Sequence, residues 1–472
     1  MSSSPSPLHE QFAAHSQDHV FAFWDTLTES EQTALTAELS ALDLASLAKA
    51  HERAVAAVET TVGGEITPLE RMVNEDAASE DGRMDGWMDM GLQAVAAGKV
   101  AAVLLAGGQG TRLGSKDPKG CYVIGSPSGM SLFEMQAKRI ARVQAMAGAD
   151  APPLPWYIMT SGPTHGPTVA FFEENAFFGL SQDQIMFFQQ GTLPCLTPEG
   201  KLILKTKSSL ARAPDGNGGI YDALKNEGVL ADMASRGIEA VHVYCVDNCL
   251  AKVADPAFVG YCLDAGVKCG VKVIKKIDPS EKVGVLAKKD NLVHVLEYSE
   301  LPTHLAEETN DDGSLVYSAA NIVNHFYTLD FLNEIVQDHV PALVHHVARK
   351  KIPHVSQDGQ DTITPDAING IKLELFIFDV FPAAQDSIAV LQGDRSRDFA
   401  PLKNAPGTGK DCPETSVVAL SSLHKSWASK AGLTLNGEPD LPFEVSPLVS
   451  YAGEGLESLS TQEFTLPAFV QE

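Results

Sequence analysis

From Leu104 to Gly120 the chain reads Leu-Leu-Ala-Gly-Gly-Gln-Gly-Thr-Arg-Leu-Gly-Ser-Lys-Asp-Pro-Lys-Gly. Four glycines (Gly107, Gly108, Gly110 and Gly114) fall within eight residues. Such a backbone can approach a ligand closely and aim its amides at phosphate oxygens. Arg112 can grip a phosphate through two parallel hydrogen bonds, and Lys119 adds a compact positive charge. Two familiar phosphate loops do not fit. The fingerprint GxGxxG leaves two residues before its third glycine, whereas three separate Gly110 from Gly114, and no acid is suitably placed about 20 residues on. The pattern GxxxxGK[ST] needs a lysine where Ser115 stands and a glycine where Gln109 stands. A loop that only turned from strand to helix would not need both Arg112 and Lys119.

Other residues have chemistry in their placement. Asp247 directly follows the apolar run Val241–Val246. A carboxylate at the carboxyl end of a parallel strand, in the crevice, is a typical metal or ligand position. Gln190 ends the run Phe187-Phe188-Gln189-Gln190, and its amide offers both a donor and an acceptor. Gly216 can let a ring approach the backbone. Gly284 sits in a strand-like run, where glycine marks a bulge or a close approach.

The elements around these residues are legible. Val100–Leu105 is short and wholly apolar, as suits a strand buried on both faces of a parallel sheet. Similar runs occur at Trp156–Met159, Ile185–Phe188 and Val241–Val246, with helical stretches between them such as Ser131–Met146. This alternation predicts an α/β, doubly wound domain. Val283–Ala287 and Val293–Tyr298 flank Lys289-Asp290-Asn291 and read as a hairpin, so the sheet is expected to be mixed. Residues 9–98 read as helical, with a capping box at Thr28-Glu29-Ser30-Glu31 and an apolar face kept from Leu35 through Leu47. Residues 371–386 and 416–432 also read as helices, and Met1–Glu10 as a short disordered lead-in. The expected organisation is a helical N-terminal arm (1–96), a catalytic domain (97–405) and a small C-terminal domain (406–472).

The chain has 472 residues, 35 Lys+Arg and 61 Asp+Glu, a formal net charge of −26. That balance argues against nucleic acid and anionic membranes as partners. The basic residues cluster: windows 101–140, 201–212 and 272–289 hold 15 basic and 4 acidic residues, which suggests a cleft that draws in small anions. Seven cysteines with no CxxC pair read as buried reduced thiols. No apolar run is long enough to cross a bilayer, and no secretory signal or transit peptide is evident, so a cytoplasmic protein is expected.

The loop resembles the GGxGTRLG…PK signature of sugar-nucleotide pyrophosphorylases. Further motifs follow in the order found in eukaryotic-type UDP-N-acetylhexosamine pyrophosphorylases: Trp156–Ser161, Phe187–Gly191, Ala213–Gly219, Val241–Asn248, Glu297–Glu300, Gly370–Lys372 and Pro401–Asn404. The resemblance covers about residues 100–410. It implies a mixed, mostly parallel sheet of the nucleotide-diphospho-sugar transferase (Rossmann-like) type. It also implies transfer of uridylate from UTP to N-acetylglucosamine 1-phosphate, by in-line attack on the α-phosphorus with release of pyrophosphate. Such chemistry rests on positioning and charge neutralisation.

By this resemblance, Leu105, Ala106, Gly107 and Gly108 cradle the uridine and its phosphates, and Arg112 and Lys119 neutralise them. Gln190 reads the uracil edge, Gly216 admits the uracil, and Asn217 lies on the sugar side. Asp247 acts through Mg²⁺ (or Mn²⁺). Glu297, Tyr298 and Asn321 bind the sugar, and Gly284 lies near its acetamido group. Lys372 and Lys403 contact the transferring phosphates, with Lys403 balancing charge in the transition state. Ser318-Ala319-Ala320-Asn321 stands where the family commonly has Asn-Ala-Gly-Asn, which leaves N-acetylgalactosamine, glucose or galactose 1-phosphate as alternative substrates. A catalytically dead nucleotide-sugar sensor would have lost the phosphate-handling cations, and this chain keeps them. A monomer or homodimer is expected.

Overall fold

The computed structural model describes residues 7–60 and 64–471. The chain gathers into two compact units, each built from segments far apart in sequence. One holds residues 1–63, 190–222 and 340–379, the other residues 64–189, 223–339 and 380–472.

The first unit begins with α1 (Pro7–Ala14), α2 (Glu29–Ser40) and α3 (Leu44–Thr60). Residues 7–10, expected in the disordered lead-in, are the start of α1, whose Phe12 is fully buried; residues 1–6 lie outside the described residues. The Thr28 box forms as expected: Glu31 N donates to Thr28 Oγ1 at 3.3 Å, and Thr28 N donates to Glu31 Oε2 at 2.8 Å. The helical face does not run unbroken from Leu35 to Leu47. Asp43 accepts from Ser46 N at 3.0 Å and caps a new helix, α3. Phe12, Leu35, Leu39 and Leu44 pack with Leu196, Leu202, Ile371 and Leu373 in one cluster.

Residues 371–386 are not a helix. Gly370–Glu374 is a strand paired antiparallel with His346–Lys350, and only Phe381–Ala384 makes a 3₁₀ turn. Ile371 and Leu373 are buried while Lys372 and Glu374 are half-buried, a period of two. An apolar run this short fits either period, and pairing with a distant partner decided it.

The second unit contains an eleven-stranded sheet. Its strands are β1 (Ile66–Thr67), β2 (Val73–Asn74), β3 (Val100–Leu105), β4 (Trp156–Thr160), β5 (Ile185–Gln189), β6 (Ala240–Cys245), β7 (Cys269–Lys275), β8 (Val285–Lys289), β9 (Leu292–Leu296), β10 (Ala319–Thr328) and β11 (Ile388–Gly393). The order is β2-β11-β7-β10-β6-β3-β4-β5, with β8 joining β10 and pairing β9 and β1. Along this path only β10 runs antiparallel to its neighbours, so the sheet is mixed and mostly parallel, as expected. All six residues of β3 are buried, which requires cover on both faces. The β8–β9 hairpin turns at Asp290 and Asn291, whose φ values of 51° and 65° make the primed turn that matches strand twist.

Helices α4 (Arg83–Ala96), α5 (Leu132–Ala147), α6 (Gly162–Glu174), α7 (Pro256–Asp264) and α8 (Pro413–Lys430) complete this unit's main framework. The stretches read as helical at 131–146 and 416–432 are α5 and α8. Ser131 caps α5 by accepting from Glu134 N at 3.1 Å. Helices α4 and α7 touch backbone to backbone: a Cβ at Gly91 would stand 1.9 Å from Pro256 O. Ala428, Phe443, Val445, Leu456 and Val470 form a separate cluster near the C-terminal end. All seven cysteines are free thiols, five of them buried. Among the described residues, no helix is long and apolar enough to cross a membrane.

Three histidines, His242, His325 and His424, are buried, and burial pushes their rings down to about 4, about 3 and about 3 from 6.5. They stay neutral in the folded chain while the unfolded chain protonates near 6.5. Their contribution is therefore whole above pH 6.5 and is lost as pH falls toward 4, at up to about 1.4 kcal/mol per pH unit for each. Denaturant midpoints measured from pH 7.5 to pH 4.5 should fall steadily, starting before the ordinary carboxylates titrate.

Candidate functional site

Strand β3 feeds the glycine loop, which folds back on itself. Gly110 N donates to Asp117 O at 3.0 Å and Lys119 N to Gly108 O at 3.1 Å. A Cβ at Gly110 would stand 2.9 Å from Asp117 O, and one at Gly120 would enter the Phe133 ring. Gly108, by contrast, is exposed, and a Cβ there would meet nothing within 4 Å. The loop is thus packed on one side and open at Gly108. Ser161 Oγ donates to Gly107 O at 2.8 Å and fixes the start of the loop. Leu105 and Ala106 are buried at the end of β3.

Arg112, Lys119 and Lys403 are brought together. They line one cavity of about 160 Å³ with Gln109, Thr111 and Leu113. Asp247, just past the end of β6, lies with its Oδ2 3.7 Å from Lys119 Nζ. Lys403 is held by its neighbours: its Nζ lies 5.7 Å from the centre of the Phe399 ring, and its N donates to Asp411 O at 2.7 Å.

Asn248, which sequence reasoning passed over, joins these parts. Its side chain donates to Asp398 O at 2.7 Å and accepts from Ala400 N at 2.9 Å, while Leu402 N donates to Asp247 O at 2.8 Å. The segment carrying Lys403 is thereby sewn to the strand end carrying Asp247. The available signal was an amide beside the candidate carboxylate, at the end of an apolar strand.

Among the residues expected to bind the sugar, Asn321 N donates to Gly284 O at 2.9 Å, and a Cβ at Gly284 would stand 2.8 Å from Glu297 Oε1. Gly284, Glu297 and Asn321 are therefore neighbours. Tyr298 follows with 51% of its surface exposed.

The remaining candidates lie in the first unit. Gln190 Nε2 donates to Asp215 Oδ1 at 3.1 Å and to Gly216 O. Burial pushes the Asp215 carboxyl up from its ordinary value. Gly216 holds φ 88°, and a Cβ there would stand 2.1 Å from Leu375 O, so only glycine fits. Asn217 Oδ1 accepts from Ile377 N at 3.1 Å, which ties this turn to the segment after the strand that carries Lys372.

The basic windows need correction. Lys272 is buried against Glu75 (2.7 Å), Asp255 (2.8 Å) and Asp398 (3.1 Å). Arg139 is buried and donates to Cys249 O and Ala251 O, and Lys138 pairs with Glu134 at 2.9 Å. These cations neutralise the chain's own acids and carbonyls, because a buried charge must be paired. Near the loop, Arg112, Lys119 and Lys403 face a common cavity, and Lys119 is shared with Asp247.

An open, mostly parallel sheet whose buried strand runs into a cation-bearing glycine loop, with a carboxylate at a neighbouring strand end, is the framework of a nucleotidyltransferase. The chain belongs to the UTP–glucose-1-phosphate uridylyltransferase family, which it matches over residues 64–468. It is 44% identical to UDP-N-acetylglucosamine diphosphorylase 2 of Arabidopsis thaliana, covering 96% of this chain and 91% of that one. It is 42% identical to human UDP-N-acetylhexosamine pyrophosphorylase-like protein 1, covering 97% and 95%. The crystal structure of the Trypanosoma brucei uridine diphosphate N-acetylglucosamine pyrophosphorylase superposes with a TM-score of 0.85 at 28% identity, covering 100% of this chain and 99% of that one.

Asn248→Ala would leave the buried Asp398 carbonyl and Ala400 amide unpaired. It should lower the unfolding free energy by about 2–4 kcal/mol, read from denaturant titration.

Proposed function

We propose that the protein transfers uridylate from UTP to N-acetylglucosamine 1-phosphate, giving UDP-N-acetylglucosamine and pyrophosphate. The observation that carries this reading is the convergence of Arg112, Lys119 and Lys403 on one cavity beside Asp247, in a chain over 40% identical to proteins named for that sugar nucleotide. The sugar phosphate oxygen attacks the α-phosphorus in line, and pyrophosphate leaves. No covalent intermediate is required. The three cations neutralise phosphate charge, and Lys403 meets the charge that grows in the transition state. Gln190 and Gly216 serve the uracil, and Leu105, Ala106, Gly107 and Gly108 the uridine and its phosphates. Lys372 contacts phosphate. Asn217, Gly284, Glu297, Tyr298 and Asn321 serve the sugar, with Gly284 near its acetamido group, where any larger side chain would collide with Glu297 and Val295.

A magnesium ion (or Mn²⁺) fits the donor set in one way. Among the described residues, no group of three or more His, Cys, Asp or Glu side chains could hold a metal. Asp247 would hold it alone among side chains, with substrate phosphate oxygens supplying the rest, as Mg²⁺ commonly binds. Bound there, it would supply positive charge to the phosphates. The free thiols suit a reducing compartment, and we assign the protein to the cytoplasm as a monomer or homodimer.

Purified protein with UTP, Mg²⁺ and N-acetylglucosamine 1-phosphate should release pyrophosphate. Glucose 1-phosphate should be used at least about tenfold less well, as expected for a pocket that gains from the acetamido group. A preference for glucose 1-phosphate would overturn the substrate assignment. Lys403→Ala should cut kcat by about a hundredfold or more while leaving the KM for UTP within about threefold. Equal losses in both would remove its transition-state role.

A further inference from the structure

Strand β10 carries Asn321 and His325, both buried. Asn321 Oδ1 accepts from Val323 N at 3.1 Å. A backbone N–H can only donate, so the atom facing it is the carbonyl oxygen and not the NH₂ group. His325 Nε2 lies 3.1 Å from the same Oδ1. That oxygen has no proton to give, so Nε2 carries the hydrogen. The ring is neutral, since burial pushes it down to about 3. Nδ1 is then an acceptor, 3.1 Å from the Tyr327 hydroxyl. The Phe381 ring meets the imidazole edge-on with centroids 5.0 Å apart and holds its plane.

The backbone around this amide is strained. Val323 has φ 53°, a left-handed conformation that a β-branched residue rarely adopts. It lies at the bulge where the register between β7 and β10 shifts. The Asn321 amide closes that bulge on one side and meets His325 on the other. Both lone-pair directions of Oδ1 are taken, whereas Nδ2 has no hydrogen-bond partner among the described residues and is not sealed from solvent. Gly284 and Glu297 flank this residue, as described above.

We propose that His325 is a positioning residue for the sugar 1-phosphate: it locks the Asn321 amide so that its NH₂ group, a pure donor, faces an acceptor oxygen of the substrate. The inference rests on the uridylyltransferase reading and assigns a direction to one hydrogen bond in it. Without His325, the amide keeps only the Val323 contact and can swing, and the sugar loses a preset donor. The nucleotide side is untouched.

The test is a set of initial rates with UTP and N-acetylglucosamine 1-phosphate for wild type, His325→Leu and His325→Gln. Leucine fills the space without a donor, and glutamine returns an N–H near the Nε2 position. The KM for the sugar phosphate should rise about tenfold in H325L with the KM for UTP within about twofold, and H325Q should recover most of the loss. Asn321→Asp keeps the acceptor for Val323 and His325 but removes the NH₂, and should show the same sugar-side loss; should H325L not fold, His325→Met, which also lacks a donor, takes its place in the comparison with H325Q. Equal rises in both KM values, or H325Q no better than H325L, would overturn the proposal. Should the wild type use only another sugar phosphate, the substrate assignment fails alone, and the same KM split is read with that substrate.

Discussion

The place where Asp247, Lys119 and Lys403 come together hangs on the pairing of Asn248 with the backbone of Asp398 and Ala400. Strand β6 is buried along nearly its whole length, so its end is a fixed point. Asp247 projects there, and the clamp brings in a segment from some 150 residues later in the chain, with Lys403 on it. Lys119 reaches the same place from the loop after β3, the strand beside β6. Three chain segments thus meet where two parallel strands end. A flexible lysine becomes a preorganised charge only when its backbone cannot move, and here the backbone is held by buried hydrogen bonds.

The acidic balance of −26 has two local answers. Inside the second unit, Lys272 sits among Glu75, Asp255 and Asp398, with Lys252 3.3 Å from Asp398. Taking those charges out of water is costly, and mutual neutralisation offsets it. The same Asp398 gives its carbonyl to Asn248, so the buried ion cluster and the Lys403 clamp share a residue. Near the glycine loop, Arg112, Lys119 and Lys403 line the cavity that an anion would meet, with Lys119 also beside Asp247.

Much of this was legible in the sequence. The four apolar runs became β3, β4, β5 and β6, because a strand buried on both faces needs no alternation and leaves a short, plain signal. The glycine loop, the Thr28 capping box and the turn at Asp290-Asn291 were readable because each is set by contacts within a few residues. The failures share one cause. Residues 371–386 read as a helix because five apolar-patterned residues cannot reveal a partner strand at 346–350. The basic windows read as a cleft because spacing does not show that Lys272 faces three carboxylates. Asn248 and His325 were passed over because their partners are backbone atoms or side chains that folding alone brings near.

The sequence by itself determined the α/β class, the glycine loop with its two cations, and the membership of a uridylyltransferase family, since these lie in residue types at short spacing. Only the tertiary structure decided that residues 190–222 and 340–379 join the N-terminal helices in one unit, and that Lys403 meets Arg112 and Lys119. It alone decided that the Asn321 side-chain oxygen is held between Val323 and His325. Those facts depend on contacts between segments far apart in the chain. They depend also on which lone pairs and protons burial leaves unmatched, and no local pattern of residues encodes that.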